Sequence, residues 1–288
     1  MANGNAHSWL TSYLTGRKQF ITIKGERSEE QDKECDVPQG SVLGPSLYED
    51  YTAAPVGAIF RKHNIDFHIY ADDTQVYVPF SIDNEQESLH RLEACLEEVR
   101  KWMAANYLKL NDSKTEFIVF GSKKNLAEIK TQSMCLGESH VPSHPSVKNI
   151  GVHLDETLKM DKQVAATCKV AWFHLYQISK IRKYLTDDQT KSVIHANVTS
   201  RLDHNNSLLI GLPKKSIGKL QLIQNAAARL IVGLKKRDHV TPTLRELHWL
   251  PVEQRILFKV MLLTFKALNN KGPAYLKELL TPYVPARN

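Results

Sequence analysis

The chain has 288 residues, 42% of them hydrophobic and 24% charged, which suits one large or two ordinary soluble domains. Its formal charge of +7 is uneven: residues 1–150 hold 16 Lys and Arg against 21 Asp and Glu, and residues 151–288 hold 22 against 10, giving −5 and +12. A membrane span is excluded because the best apolar stretch, Phe258 to Leu268, is short and broken by Lys259 and Lys266; a polar start is no secretory signal, and four scattered cysteines (Cys35, Cys95, Cys135, Cys168) make neither a disulfide framework nor a zinc site.

In chain order, Ser8 to Leu14 reads as a short amphipathic helix closed by Gly16. Gln19 to Lys24 reads as a strand, and residues 25–36 as a hairpin or loop. Val37 to Pro45 has loop chemistry and leads into a helix running to about Phe60. Ile65 to Tyr70 alternates apolar and polar residues, as a half-buried strand does. Gln75 to Phe80 is its expected partner, with Ala71-Asp72-Asp73-Thr74 as the turn. Residues 84–106 form the clearest helix, with Leu89, Leu92, Leu96, Val99 and Met103 in one stripe and Asp83 as the expected N-cap. Strands are expected at Phe117–Phe120 and Val147–Leu154. From residue 160 the periodicity turns helical: 164–185, 187–202, 216–232 and 252–269, with Thr186-Asp187-Asp188 as a cap and first turn. Proline-containing pairs punctuate these helices. The expected class is α+β, divided into residues 1–155 and a basic helical part, 156–288.

Asp72 and Asp73 are the sharpest chemical feature. Adjacent carboxylates repel unless something positive lies between them. A divalent cation is the usual partner, and Mg²⁺ takes oxygen ligands completed by substrate phosphates. Taken alone, such a pair is also ordinary turn chemistry. No serine-hydrolase, P-loop or zinc pattern competes. His140 and His144 have HxxxH spacing, but Pro142 and Pro145 break the helix that would align them.

Tyr70-Ala71-Asp72-Asp73 resembles the YADD signature of reverse transcriptases, and Val37-Pro38-Gln39-Gly40-Ser41-Val42-Leu43-Gly44-Pro45 is similar to the block before it in LINE-type (non-LTR) retrotransposon enzymes. Leu108 to Glu116 resembles the next motif, and Asn149 to Asp155 the hairpin that grips the primer end. Ser200 to Asp203, Gly211 to Pro213, Gln224 to Arg229, His239 to Pro242 and Leu247 to Val252 resemble the C-terminal segment of vertebrate-type LINE second reading frames. The resemblance covers nearly the whole chain, from Trp9 onward.

It implies a partial polymerase palm with a β-hairpin active site, followed by an all-helical thumb and C-terminal region. The activity implied is RNA-directed DNA polymerisation, with an RNA template, a DNA primer and deoxynucleoside triphosphates as partners. Asp72 and Asp73 would hold Mg²⁺ or Mn²⁺. Gln39, Gly40, Tyr70 and Ala71 would lie beside nucleotide and template, Lys114 near the leaving pyrophosphate, and Ile150 and Gly151 at the primer end. The family takes another metal-binding aspartate from an earlier strand, and Asp32 and Asp36 do not match that block. The two-metal site is therefore expected to be incomplete here, and the chain inactive alone. The family's fingers and endonuclease domain are likewise not read in this sequence.

Departures from the family pattern include Asp36 in place of Gly, Ser46 and Tyr48 at apolar positions, Glu49-Asp50, and His204-Asn205 where Tyr-Cys is common. Two other readings stay open. One is a non-catalytic protein binding nucleic-acid backbones through Lys214, Lys215, Lys235, Lys236 and Arg237; those side chains could equally just solvate helix ends and loops. The other is an inert product of a degenerate element. Reduced cysteines suit the cytoplasm or nucleus.

Overall fold

The computed structural model describes residues 4–33, 40–281 and 283. Among the described residues, helices are mixed with five separate two-stranded antiparallel sheets, in agreement with the expected α+β class. The chain divides into two compact units: Met1–Phe117 with Lys124–Ser143, and Ile118–Lys123 with His144–Asn288. Among the described residues no helix is long and apolar enough to cross a membrane.

The first unit opens with α1 (Asn5–Leu14) and four two-residue strands, β1 (Lys18–Gln19), β2 (Thr22–Ile23), β3 (Glu26–Arg27) and β4 (Gln31–Asp32). The strand expected at Gln19–Lys24 is thus two fragments. Lys24 and Gly25, both at positive φ, turn the chain between β2 and β3, and β1 pairs with β4 outside them. Residues 34–36 of the expected loop lie outside the described residues.

Helix α2 (Gly44–Lys62) follows, entered through a Ser41 hydroxyl that accepts from Gly44 N–H at 3.1 Å. Next come β5 (Asp66–Tyr70), β6 (Asp73–Tyr77) and α3 (Glu85–Ala105). Asp83 does not cap α3. It lies inside a 3₁₀ turn, Ile82–Asn84, whose capping box is made by Ser81 and Asn84. The unit is completed by α4 (Lys123–Glu128) and a hairpin not expected from sequence, β7 (Ser133–Leu136) with β8 (Ser139–Pro142). The strand expected at Phe117–Phe120 reduces to a single bridge between Phe117 and Ser143. Val119 is buried and the segment finds no ladder partner among the described residues.

Two apolar clusters share α3. Val56, Ile59, Phe60 and Ile65 meet Cys95 and Val99, with Phe67, Ile69, Val76 and Val78 packed against them. Met134, Leu136 and Val141 meet Leu89, Leu92 and Leu96 on the neighbouring side of the helix. Burial pushes the Cys95 thiol up to about 11, with the Glu98 charge adding to the rise.

The second unit starts with β9 (Ser146–Asn149) and β10 (Val152–Asp155), a hairpin inside what sequence reads as one strand. Helices α5 (Asp161–Ile181), α6 (Asp187–Ile194), α7 (Ser200–Asp203), α8 (Lys214–Val232), α9 (Thr241–Glu246), α10 (Val252–Leu268) and α11 (Ala274–Glu278) follow. Thr186 caps α6 as expected: its hydroxyl accepts from Gln189 N–H at 3.2 Å while Gln189 accepts from Thr186 N–H at 3.0 Å. The core stacks Val164, Ala171, Leu175 and Ile178 of α5 with Leu220, Ile223, Ala227, Ala228 and Ile231 of α8. Arg182 closes the C-terminal end of α8 by donating to the carbonyls of Leu230 and Ile231 at 2.9 and 2.7 Å.

The C-terminal motifs serve this core. Gln224 is buried and donates to Leu250 O at 2.8 Å, and Gln221 accepts from Val252 N–H at 2.8 Å. Arg255 forks onto Asp203, with Nε at 2.8 Å from Oδ1 and a second bond from Nη2 to Oδ2.

Candidate active site

The Asp72–Asp73 hairpin is built by alternation. On β5, Asp66, His68 and Tyr70 face outward while Phe67 and Ile69 join the core. The register runs from Asp66 opposite Tyr77 to Tyr70 opposite Asp73, leaving Ala71 and Asp72 as a two-residue turn. Asp73 is therefore the first residue of β6 rather than part of the turn.

Ala71 takes φ +53°. Positive φ at the first turn position is a conformation glycine usually supplies, and an alanine held there stores strain. Strain of this kind persists only where surrounding structure fixes it, and the packed faces of β5 and β6 do so. Both aspartates are exposed at the tip. Tyr70, 59% exposed, stands opposite Asp73.

Behind the tip stands Tyr48 of α2. Burial raises its phenol above the ordinary value, and the negative charge of Asp72 raises it further. Sequence comparison marks Tyr48 only as a departure from an apolar position; its nearness to Asp72 depends on how α2 crosses the hairpin. Gly40 sits in the turn before α2 at φ +80° with open space around it, which suits close approach of a ligand to backbone. Gln39 lies outside the described residues.

Lys114 is exposed at the end of the 3₁₀ turn Asp112–Lys114. No hydrogen bond or ion pair joins it to Asp72 or Asp73. Ile150 and Gly151 form the tip of the β9–β10 hairpin in the other unit, both at positive φ (43° and 79°). The hairpin is held to α5 by Gln163, whose side-chain oxygen accepts from His153 N–H at 2.9 Å.

The five basic candidates fall into two groups. Lys214 and Lys215 occupy the first turn of α8. Lys235, Lys236 and Arg237 lie in a turn past its other end, where the Asp238 carboxylate accepts from Lys235 N–H at 2.7 Å and Arg229 donates to Asp238 O at 3.0 Å. At 1.5 Å per residue the two groups are roughly 30 Å apart. They are separate patches.

Asp72 and Asp73 offer only carboxylate oxygens, the donor type Mg²⁺ and Mn²⁺ prefer, and an exposed position leaves room for phosphates in the remaining coordination sites. Among the described residues no group of three His, Cys, Asp or Glu could hold a metal ion. The hairpin thus fits part of a divalent-metal site.

Residues 3–154 match the model of the family described as reverse transcriptase (RNA-dependent DNA polymerase). The chain belongs to that family. Its similarity falls on polymerases of non-LTR transposons: it is 27% identical over 258 residues to a probable RNA-directed DNA polymerase from transposon BS of Drosophila melanogaster, covering 86% of this chain and 28% of that protein. It is 28% identical over 233 residues to the corresponding protein of transposon X-element from the same organism, covering 78% and 24%. It is 27% identical over 164 residues to the polymerase of mobile element jockey of Drosophila funebris, covering 54% and 17%. The chain spans about a quarter of the length of the first two relatives. Reverse transcriptases generally use divalent metal ions.

Proposed function

We propose that this chain is the palm-and-thumb part of an RNA-directed DNA polymerase acting on an RNA template, a DNA primer and deoxynucleoside triphosphates. Residues 1–155 are assigned to the palm and 156–288 to the thumb and C-terminal segment. The observation that carries the reading is the hairpin tip, where two exposed carboxylates stand on a turn fixed by buried strand faces.

In this reading Asp72 and Asp73 hold Mg²⁺, or Mn²⁺ in its place, which when bound activates the primer hydroxyl and steadies the leaving oxygens. Tyr70 and Ala71 form the floor under primer and nucleotide, and Gly40 with Gln39 lines the nucleotide side. Lys114 offers charge to the departing pyrophosphate. Ile150 and Gly151 hold the primer end, and the two patches at the ends of α8 contact phosphates. The two carboxylates alone are expected to bind a cation weakly, because a competent metal site needs further oxygen ligands beside them. Cys95, Cys135 and Cys168 are free thiols, which suits the cytoplasm or nucleus.

The test has two arms. Mn²⁺ titration followed by electron paramagnetic resonance should show weak binding that is lost in Asp72→Asn, Asp73→Asn. Primer extension on an RNA template, with the same double variant beside it, reads activity. Equal Mn²⁺ binding by both proteins, with no extension by either, would remove the hairpin from the metal site.

A further inference from the structure

The core side of α5 is the row Val164, Ala171, Leu175 and Ile178. The opposite side carries Lys162, Lys169, Phe173, Tyr176 and Lys180, whose spacings of seven, four, three and four residues keep them on one face. Trp172 flanks that line, one turn before Tyr176. A helix that buries one face is expected to turn polar residues outward. Instead Trp172, Phe173 and Tyr176 are 46, 58 and 59% exposed. The ionic groups among them are all positive: the only acidic residue of α5 is Asp161, at its first position. The pattern runs on past the helix, where Tyr184 is exposed under Lys183, 4.8 Å from the ring centroid; on the helix itself Lys180 stands 4.3 Å over Tyr176.

We propose that this outward face of α5 is a stacking platform for unpaired RNA. Aromatic faces accept any base by stacking, and a line of lysines tracks the phosphates between them; together they are the two components of a single-strand site. Lys162 to Lys180 spans roughly 27 Å of helix, long enough for several nucleotides. A purely apolar protein partner would leave three lysines to be desolvated without counter-charges. An RNA strand satisfies rings and lysines at once. The choice of RNA rests on the template proposed above; the platform itself involves none of the hairpin residues, and it is distinct from the patches at the ends of α8.

The experiment is fluorescence anisotropy of a labelled oligouridylate of about 16 nucleotides, the upper end of a single-strand site. It is run on the whole chain in EDTA, without primer or triphosphate, so that failure of the polymerase reading does not affect it. Binding is expected, with log affinity falling against log salt at a slope of about −2 for three phosphate contacts. The variant Trp172→Ala, Phe173→Ala, Tyr176→Ala should weaken it at least tenfold with an unchanged circular dichroism spectrum. Trp172→Phe with Tyr176→Phe, which keeps the rings, should retain it. Lys169→Glu with Lys180→Glu should weaken binding and flatten the salt slope. Wild-type affinity in the triple alanine variant would overturn the proposal. So would an equal loss on a fully paired RNA duplex, or tighter binding of the matching oligothymidylate than of the RNA. No binding by the wild type, with self-association that the triple variant abolishes, would make the face a protein interface instead.

Discussion

A Cβ on Gly57 of α2 would stand 2.9 Å from Cζ of the Phe67 ring in β5. The helix and the aspartate hairpin therefore meet through a position where only glycine leaves room. Phe67 cannot simply turn away, because its ring already packs on Phe60 with centroids 5.0 Å apart. Gly57→Ala should gain about 1 kcal/mol of helix propensity and lose about 1–3 kcal/mol to overpacking. The expected balance is a net loss of up to about 2 kcal/mol, with the hairpin displaced. Urea unfolding checks the sign, and chemical shifts of Tyr70 to Thr74 check the displacement. A raised midpoint would show that the ring moves freely.

The two hairpin tips share a second property. Ala71 sits at φ +53° and Ile150 at +43°, and a β-branched residue is the poorer fit to left-handed backbone. Ile150 is 41% exposed, so little burial is lost on replacing it. Ile150→Asn should raise stability by about 1 kcal/mol, read as a higher thermal midpoint. In the proposed role at the primer end, the same change should weaken binding of a primer–template duplex. Stability and binding moving together in the upward direction would contradict that role. Gly151→Ala should act oppositely on stability, since Gly151 has φ +79° and a Cβ there would lie 3.3 Å from His204 Nε2.

These positions show what could be read in advance. The β5 alternation of Phe67 and Ile69 against His68 and Tyr70 is a local pattern, and it produced both the strand and its inward face. Thr186 with Gln189 is likewise local, and the cap formed as read. Phe117–Phe120 has strand composition, yet a strand needs a partner, and sequence does not supply one. Residues 25–36 were read as a hairpin or loop, and a hairpin does form there; its turn starts at Lys24, which was read as the strand's last residue and instead takes positive φ with Gly25. Ser133 to Leu136 carries no strong strand signal; its pairing with Ser139 to Pro142 depends on the α3 face that Met134, Leu136 and Val141 cover. The family was legible in the motifs. Their grouping was not: Tyr48 comes to Asp72 only through the crossing of α2, and α8 separates the two basic patches that composition treats as one.

Glu85 provides a pH test of the first unit. Burial opposes its ionisation. The Thr131 hydroxyl beside it, the N–H groups of Lys130 and Thr131 that donate to it, and the Lys130 charge outweigh that and hold its pKa below the ordinary value of 4.5. With the folded pKa depressed, the unfolded state binds the proton more readily. The stabilisation is therefore present above about pH 4.5 and is lost as pH falls through the lower folded value. The difference in urea midpoint between wild type and Glu85→Gln should be constant from neutral pH to about pH 5, then shrink on further acidification. A difference that persists unchanged at pH 3 would mean the carboxylate charge contributes nothing.

Asp203 and Arg255 make the corresponding test in the second unit. The motif Ser200-Arg201-Leu202-Asp203 resembles a LINE C-terminal block, and its aspartate is occupied by the two-bond contact with Arg255 of α10. The Arg255 side chain is 19% exposed and that of Asp203 34%, so solvent screens the pair only in part. Asp203→Asn keeps the shape but removes the charge, leaving a half-buried guanidinium without its counter-ion; a loss of about 1–3 kcal/mol is expected. Arg255→Met should cost less, because it removes the stranded charge and keeps an apolar stem against the core. Adding it to Asp203→Asn should recover part of the loss, which a double-mutant cycle in urea measures directly. Full additivity would show that α7 and α10 are held together by the surrounding apolar core without help from the pair.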